Sequence, residues 1–235
     1  MNVIPQRVKD GFVGLVGPVA RALIRSGVHP NTITTIGTLF VVGSGVAFGL
    51  GEIRLGGALL LISGIFDILD GQVARQGGMT TTFGAFYDST LDRVGEGAVF
   101  SGLVFYFLTG PLPDELKIRA VGAGLLALTS SLIVSYARAR AEGLGVDCRV
   151  GIAARAERIL LLGLPTLIFG AGPPPVRPAV LLFWIVVVLA TVSAITVVQR
   201  VVHVARVAPR GAPPPSPIPK RETLPGVAAA RRKGP

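Results

Sequence analysis

The chain has 235 residues, of which 50% are hydrophobic and 15% charged, and its mean hydropathy is +0.64. A soluble domain carries about 25% charged residues, so the expected solvent is a bilayer. The formal charge of +10 suits an anionic membrane surface, while one cysteine, two histidines, three Tyr and one Trp argue against a disulfide scaffold, a His-rich metal centre and a nucleic-acid partner.

In chain order, Phe12, Leu15, Val16, Val19, Ala20, Leu23 and Ile24 recur at helical spacing, with Arg21 and Arg25 on the opposite face. This pattern predicts, for residues 1–28, an amphipathic helix lying in the cytoplasmic interface and kinked at Pro18. Basic residues follow the apolar stretch, and no small-residue cleavage site separates it from what comes next, so it does not read as a signal peptide. Six apolar segments then approach the roughly 20 residues that a crossing of a core about 30 Å thick requires. They are Asn31 to Gly51, Leu55 to Phe66, Phe83 to Thr109, Ala120 to Ala137, Ile159 to Val176 and Pro178 to Gln199, the fifth cut short by Pro173, Pro174 and Pro175. Residues 29–207 are thus expected to form an all-α integral membrane domain of six transmembrane helices. The Pro-rich, basic stretch 208–235 is expected to be a disordered cytoplasmic tail.

An even number of spans leaves both termini on one side. With the termini inside, Arg7, Lys9, Arg21, Arg25, Arg75, Arg138, Arg140, Arg149, Arg155, Arg158 and the basic residues from Arg200 onward are cytoplasmic, against Arg54, Lys117, Arg119 and Arg177 outside. The positive-inside rule therefore assigns the termini to the cytoplasm of a multi-pass cell (inner) membrane protein.

Acids inside apolar spans are expensive, about 2.5 to 3.5 kcal/mol each at a helix centre. Asp67 and Asp70 are i, i+3 on the second span, Asp88 and Asp92 are i, i+4 on the third, and Glu96 follows one turn later, so each pair shares a helical face. Gly71, Gly77, Gly78 and Gly84 offer breaks for the turn between the spans. Counting a rise of about 1.5 Å per residue from the outer end of one span and the inner end of the next brings Asp67 and Asp92 both to about 12 Å from the cytoplasmic face. Four carboxylates converging there repel one another. Arg75 and Arg93 pair at most two of them, and the usual remedy is divalent cation: all-oxygen ligation favours Mg²⁺ or Mn²⁺, and four carboxylates suit two ions.

Asp67, Asp70, Gly71, Ala74, Arg75, Gly84, Asp88 and Asp92 match D-x2-D-G-x2-A-R-x8-G-x3-D-x3-D at every fixed position. In this the chain resembles the CDP-alcohol phosphotransferases. The resemblance covers residues 1 to about 207. It implies that Asp67, Asp70, Asp88 and Asp92 hold the metals, that Asp92 is also the general base, and that Gly71 and Arg75 bind the CDP moiety. Asn31 and Thr34, in the stretch leading into the first span, are candidate nucleotide contacts on the same likeness. Asn31 reads equally well as the N-cap of that span.

A second basic group comprises Ser135, Arg138, Arg140 and Glu142 at the end of the fourth span, Arg155 and Arg158 opening the fifth, and Arg200 ending the sixth. Arginine forks suit a phosphorylated acceptor, although cytoplasmic loops are basic in any case. S-Y-x-R-A-R-A-E, R-A-E-R and Q-R resemble the bacterial phosphatidylinositol phosphate synthases. That likeness implies that Ser135, Arg138, Arg155, Arg158 and Arg200 line a pocket for inositol phosphate, that CDP-diacylglycerol is the lipid substrate, and that the enzyme is a homodimer. Ala120, Gly124 and Ala127 would permit close helix packing. Ala153 and Ala154 stand where such enzymes often have an acid.

Three other readings fit less of the pattern. Glycerol 3-phosphate would satisfy the same arginines as acceptor. An intramembrane prenyltransferase shares paired aspartates but gives no reason for Gly71, Ala74, Arg75 and Gly84. A divalent-cation transporter requires polar residues along the outer halves of the spans, where the first two offer glycine and serine.

Overall fold

The computed structural model describes residues 6–170 and 176–208, with the side chains of 6–13, 15 and 176 excepted. The tail beyond 208 and the Pro173 to Pro175 run lie outside the described residues. Seven α-helices and no strand are found among the described residues: α1 Gln6–Arg25, α2 Pro30–Gly49, α3 Ile53–Gln76, α4 Thr82–Thr109, α5 Asp114–Gly143, α6 Arg155–Phe169 and α7 Val176–Val207. Three described helices, Pro30–Gly49, Asp114–Gly143 and Arg177–Val207, are long and apolar enough to cross a membrane. Large apolar side chains such as Leu39, Val46, Phe105, Leu108, Leu125 and Trp184 face outward, as a lipid-contacting surface requires.

Helix boundaries differ from the sequence expectations where local chemistry outweighs hydropathy. Asn31 does not cap the first apolar helix. His29 does, its Nδ1 accepting the Asn31 N–H at 3.2 Å, and Pro30 occupies the first turn, where its missing N–H costs nothing. Gly71 and Gly84 are not breaks but lie inside α3 and α4. The turn between those helices is made by residues 77–81. Gly78 takes φ +65° there, and Thr81 caps α4 by accepting the Gly84 N–H at 2.9 Å. The expected fifth span ends at Phe169, so α6 has 15 residues and is only about 22 Å long. Conversely, α7 runs for 32 residues, past Gln199 to Val207.

The helices pack as α2 on α3 and α4, α5 on α7, and α1 on α3, with α3·α6 and α4·α5 joining the two groups. The core is built on Phe48, Leu103, Phe107, Leu182, Val186 and Leu189. The apolar stripe of α1 is spent partly on protein: Val16 and Ala20 pack with Leu69 and Val73 of α3, while Val19 remains exposed. Ala120 and Ala127 are buried inside the protomer, and a side chain at Gly124 would meet Val104 of α4. This small-residue face therefore serves α4·α5 packing and is not available to a second copy.

The tightest contact is between α2 and α4. A Cβ at Gly102 would overlap the Gly45 carbonyl, and one at Gly45 would overlap the Ala98 backbone. Backbone cannot move aside as a flexible side chain does. Gly102→Ala should cost about 1 to 3 kcal/mol and lower the thermal unfolding midpoint in detergent. Gly97→Ala, on the same helix, would place its methyl group where nothing lies within 4 Å, and should leave the midpoint level or raise it. Equal midpoints for the two variants would contradict the close α2·α4 contact.

Candidate active site

Helical spacing does most of the assembly. Asp67 and Asp70 project from α3, and Asp88, Asp92, Arg93 and Glu96 from the facing stretch of α4. One carboxylate oxygen from each of Asp67, Asp88 and Asp92 lies within 4.8 Å of the others. Asp70 stands slightly apart, buried, with Oδ2 accepting the Thr34 hydroxyl of α2 at 2.7 Å. An all-carboxylate set at this spacing fits a hard divalent cation, whose oxygen ligands lie about 2.0 to 2.6 Å away.

Beside the cluster is a solvent-open cleft of about 590 Å³, and Asn31, Thr34, Asp70, Gly71, Arg75 and Asp88 line it. All four residues expected at a nucleotide thus face one space, together with two of the acids. The motif glycines have a local reason. A Cβ at Gly71 would come within 3.1 Å of the Arg75 guanidinium, and one at Gly84 within 3.3 Å of Asn31 Oδ1. Glycine at 71 lets Arg75 fold back over its own helix toward the cleft; glycine at 84 lets α4 close on the start of α2.

On the other side of the acids, arginines from α4 and α6 supply countercharge. Arg155, the first residue of α6, places Nε 2.9 Å from Asp67 Oδ2 and Nη1 2.6 Å from Asp92 Oδ1. Glu96 holds Arg158 at 2.6 Å and Arg93 at 2.9 Å, and Arg93 also donates to the Ser135 hydroxyl. The pairing of the acids by Arg75 and Arg93 alone is thereby replaced by a chain running Asp67, Arg155, Asp92, Arg93, Glu96, Arg158.

The expected acceptor arginines do not all turn toward one free pocket. Arg138 is exposed and paired with Glu142 at 2.8 Å. Arg200 is buried and donates to the backbone carbonyls of Val150, at 3.0 Å, and Val134. Arg158 gives one N–H to the Ala153 carbonyl at 2.8 Å. Their charges nevertheless stay within range of one another: Arg200 feels Arg138 and Arg158, and Arg158 feels Arg93 and Arg155.

Two structural roles are not legible in the sequence. There Glu96 is only a further acid, yet it joins α4 to α6 through Arg158. The loop before α6 is pinned along α7: Thr196 Oγ1 accepts the Ala153 N–H at 3.1 Å, Arg200 donates to the Val150 carbonyl, and His203 Nε2 lies 3.0 Å from the Asp147 carbonyl oxygen. Positions 196, 200 and 203 share a helical face, a signal hidden when the sixth span is ended at Gln199.

Removing one partner of a buried ion pair strands the other, which costs about 3 to 5 kcal/mol. Glu96→Gln, which leaves Arg158 without its carboxylate and Arg93 with Asp92 alone, should therefore lower unfolding stability by that order. Glu142→Gln breaks an exposed pair and should cost less than about 1 kcal/mol. Thermal unfolding of the two variants side by side checks this, and similar small losses for both would show that Glu96 is dispensable to the frame.

The chain is 37% identical over 202 residues to the archaetidylinositol phosphate synthase of Methanothermobacter thermautotrophicus, covering 84% of this chain and 96% of that one. It is also 37% identical over 202 residues to the phosphatidylinositol phosphate synthase of Mycobacteroides abscessus, covering 86% and 88%. Crystal structures of the Mycobacterium tuberculosis phosphatidylinositol phosphate synthase superpose on it. The one with CDP-DAG bound gives a TM-score of 0.67 at 34% identity, covering 80% of this chain and 92% of that one. The one in complex with manganese and citrate gives 0.67 at 35%, covering 80% and 88%. The sequence profile described as CDP-alcohol phosphatidyltransferase matches residues 27–196, a stretch that holds the whole carboxylate cluster and its cleft, and the chain belongs to that family.

Proposed function

We propose that this protein is a phosphatidylinositol phosphate synthase: it transfers the phosphatidyl group of CDP-diacylglycerol to a hydroxyl of inositol phosphate and releases CMP. The observation that carries the reading is the placement of the carboxylate cluster between the cleft holding Asn31, Thr34, Gly71 and Arg75 and the arginines that open α6. A diphosphate on one side and a phosphorylated alcohol on the other would meet at the acids. The names of the two relatives above differ in the lipid and agree on inositol phosphate, so they support the acceptor more strongly than the lipid.

In this reading Asp67, Asp70, Asp88 and Asp92 hold Mg²⁺ or Mn²⁺, with room in the donor count for two ions. When bound, the cations supply charge neutralisation for the diphosphate and for the departing CMP. The rest falls to the chain's own groups. Arg75 pairs the diphosphate with its planar fork, and Ser135, Arg138, Arg155 and Arg158 draw in and orient the acceptor phosphate, while Arg200, bonded to the Val150 and Val134 carbonyls, fixes the loop before α6 and adds its charge. The acceptor hydroxyl oxygen attacks the phosphorus that carries the diacylglycerol. The bond from that phosphorus to the oxygen of the CMP phosphate breaks, and Asp92 takes the hydroxyl proton.

We further propose that α2 to α7 cross the cell membrane, with α1 in the cytoplasmic interface and the cleft and both ends of the described chain on the cytoplasmic side. The distribution of Arg75, Arg138, Arg155, Arg158 and Arg200 around one end of the bundle supports this orientation. A homodimer of the kind the resemblance implies would use an outward-facing surface, since the Ala120 and Ala127 face is enclosed.

Two measurements test the reading. With purified protein, Mg²⁺ and CDP-diacylglycerol, CMP release should be fastest with inositol phosphate. Glycerol 3-phosphate as the better substrate would make the enzyme a phosphatidylglycerophosphate synthase, and a preference for free inositol or serine would remove the phosphate site altogether. Arg158→Gln should raise KM for inositol phosphate roughly tenfold to a hundredfold, the worth of one charge-assisted contact, with KM for the lipid nearly unchanged.

The two ends of the acidic motif should also separate. Asp92→Asn should abolish turnover while CDP-lipid binding falls little, whereas Asp70→Asn should weaken binding and turnover together. Loss of CDP-lipid binding in Asp92→Asn alone would make that residue mainly a ligand.

A further inference from the structure

Arg155 holds Asp67 at 2.9 Å and Asp92 at 2.6 Å, two of the three carboxylates whose oxygens gather within 4.8 Å. A cation bound among those carboxylates would compete with the guanidinium for Asp67 and Asp92, each of which gives one of its two oxygens to Arg155. We propose that Arg155 is an exchangeable counter-ion: divalent cation displaces it from Asp67 and Asp92, and the displaced guanidinium completes the phosphate site of the acceptor. Cation and phosphorylated acceptor therefore bind with positive cooperativity. This rests on the reading of Asp67, Asp88 and Asp92 as cation ligands and adds a coupling that the reading alone does not contain.

In the pocket beside the displaced side chain, Glu96 is the one carboxylate among the described lining residues. Arg155 opens its helix, and its side chain is 23% exposed. It borders a second, small and mostly apolar pocket, partly open to solvent, whose other polar lining is Glu96, Ser131 and Arg158. Ser131 Oγ is buried there without a hydrogen-bond partner and offers the guanidinium an acceptor. Glu96, however, already serves Arg93 and Arg158. Arg155 released toward this side joins cations that carry more positive charge than the one glutamate balances, and an added anion is what settles them. A phosphate has the charge and the acceptor oxygens to do so. Linkage then requires reciprocity: whatever factor the cation adds to acceptor affinity, the acceptor adds to cation affinity.

The experiment is Mn²⁺ binding to the purified full-length protein, followed by electron paramagnetic resonance of the free ion, with and without inositol phosphate and with no lipid substrate present. In the wild type, inositol phosphate should tighten Mn²⁺ binding at least about fivefold, the lower end of usual coupling factors. In Arg155→Gln, which has no charge to displace, Mn²⁺ alone should bind at least about fivefold tighter than in the wild type, and the effect of inositol phosphate should largely vanish. A wild type without coupling overturns the proposal whether or not the variant folds. Arg155→Gln that binds Mn²⁺ no tighter than the wild type, while binding still depends on Asp88 as tested by Asp88→Asn, overturns the inference alone. Mn²⁺ binding indifferent to Asp88→Asn overturns the cation site and the inference with it.

Discussion

Carboxylates within an apolar bundle need positive charge at contact distance, and the rest of this site is arranged around that demand. An ion pair of unit charges about 4 Å apart gains roughly 4 kcal/mol at an effective dielectric of 20 and only about 1 kcal/mol in water. The acids of α3 and α4 sit where the larger value applies, and any of them left without a partner would pay heavily for desolvation. The protein's own cations reach only part of the cluster: Arg155 spans Asp67 and Asp92, and Asp70 is steadied by the Thr34 hydroxyl. The shortfall in protein cation is what makes the place a binding site. A fully neutralised cluster would be a structural ion-pair network with no call for a ligand.

Rigid placement of the acids follows from the backbone contact between α2 and α4. Gly45 and Gly102 bring those helices closer than any side chain would allow, and α2 in turn packs on α3. Two consequences meet at the end of the bundle that carries the acids. Thr34 comes within 2.7 Å of Asp70, and Thr35 reaches Tyr87 at 2.9 Å, so α2 is tied separately to each of the acid-bearing helices. The glycines farther along α2 and the hydroxyls in its first turns thus hold that helix at two levels. Such double fixing keeps carboxylates on different helices near one another despite their repulsion.

Much of this is legible in the sequence because helical periodicity acts at short range. The i, i+3 and i, i+4 spacing of Asp67, Asp70, Asp88 and Asp92 carries its geometry with it, and the residues expected at a nucleotide, Asn31, Thr34, Gly71 and Arg75, do share a cleft. What stays hidden depends on partners that spacing does not reveal. Arg200 has the look of a phosphate ligand, yet it grips backbone carbonyls of Val134 and Val150, groups every residue owns and no composition announces. Asn31 resembles a cap because caps favour Asn, but His29 with Pro30 behind it serves better. Ala120, Gly124 and Ala127 signal close packing correctly without saying whether the neighbour is another helix of the same chain or a second copy.

The arrangement of α6 shows why the acceptor side is less rigid in design than the nucleotide side. The cleft beside the acids, proposed for the diphosphate, is walled by three mutually locked helices. Arg155 and Arg158, by contrast, stand on the first turn of a short helix whose N-cap, Ala154, makes no side-chain capping bond. That turn is held by the loop before it, and the loop is held by single hydrogen bonds from Thr196, Arg200 and His203 on α7. Orphan N–H groups and the positive end of the helix dipole therefore point the same way as the two arginines, toward the acids. The first turn of α6 thus carries a block of positive charge, and the direction in which its Arg155 side chain turns is decided by which anions face it. Acids alone pull Arg155 inward, while acids satisfied by cation release it. The same short helix can thus balance a resting site and receive a phosphorylated substrate without a change in fold.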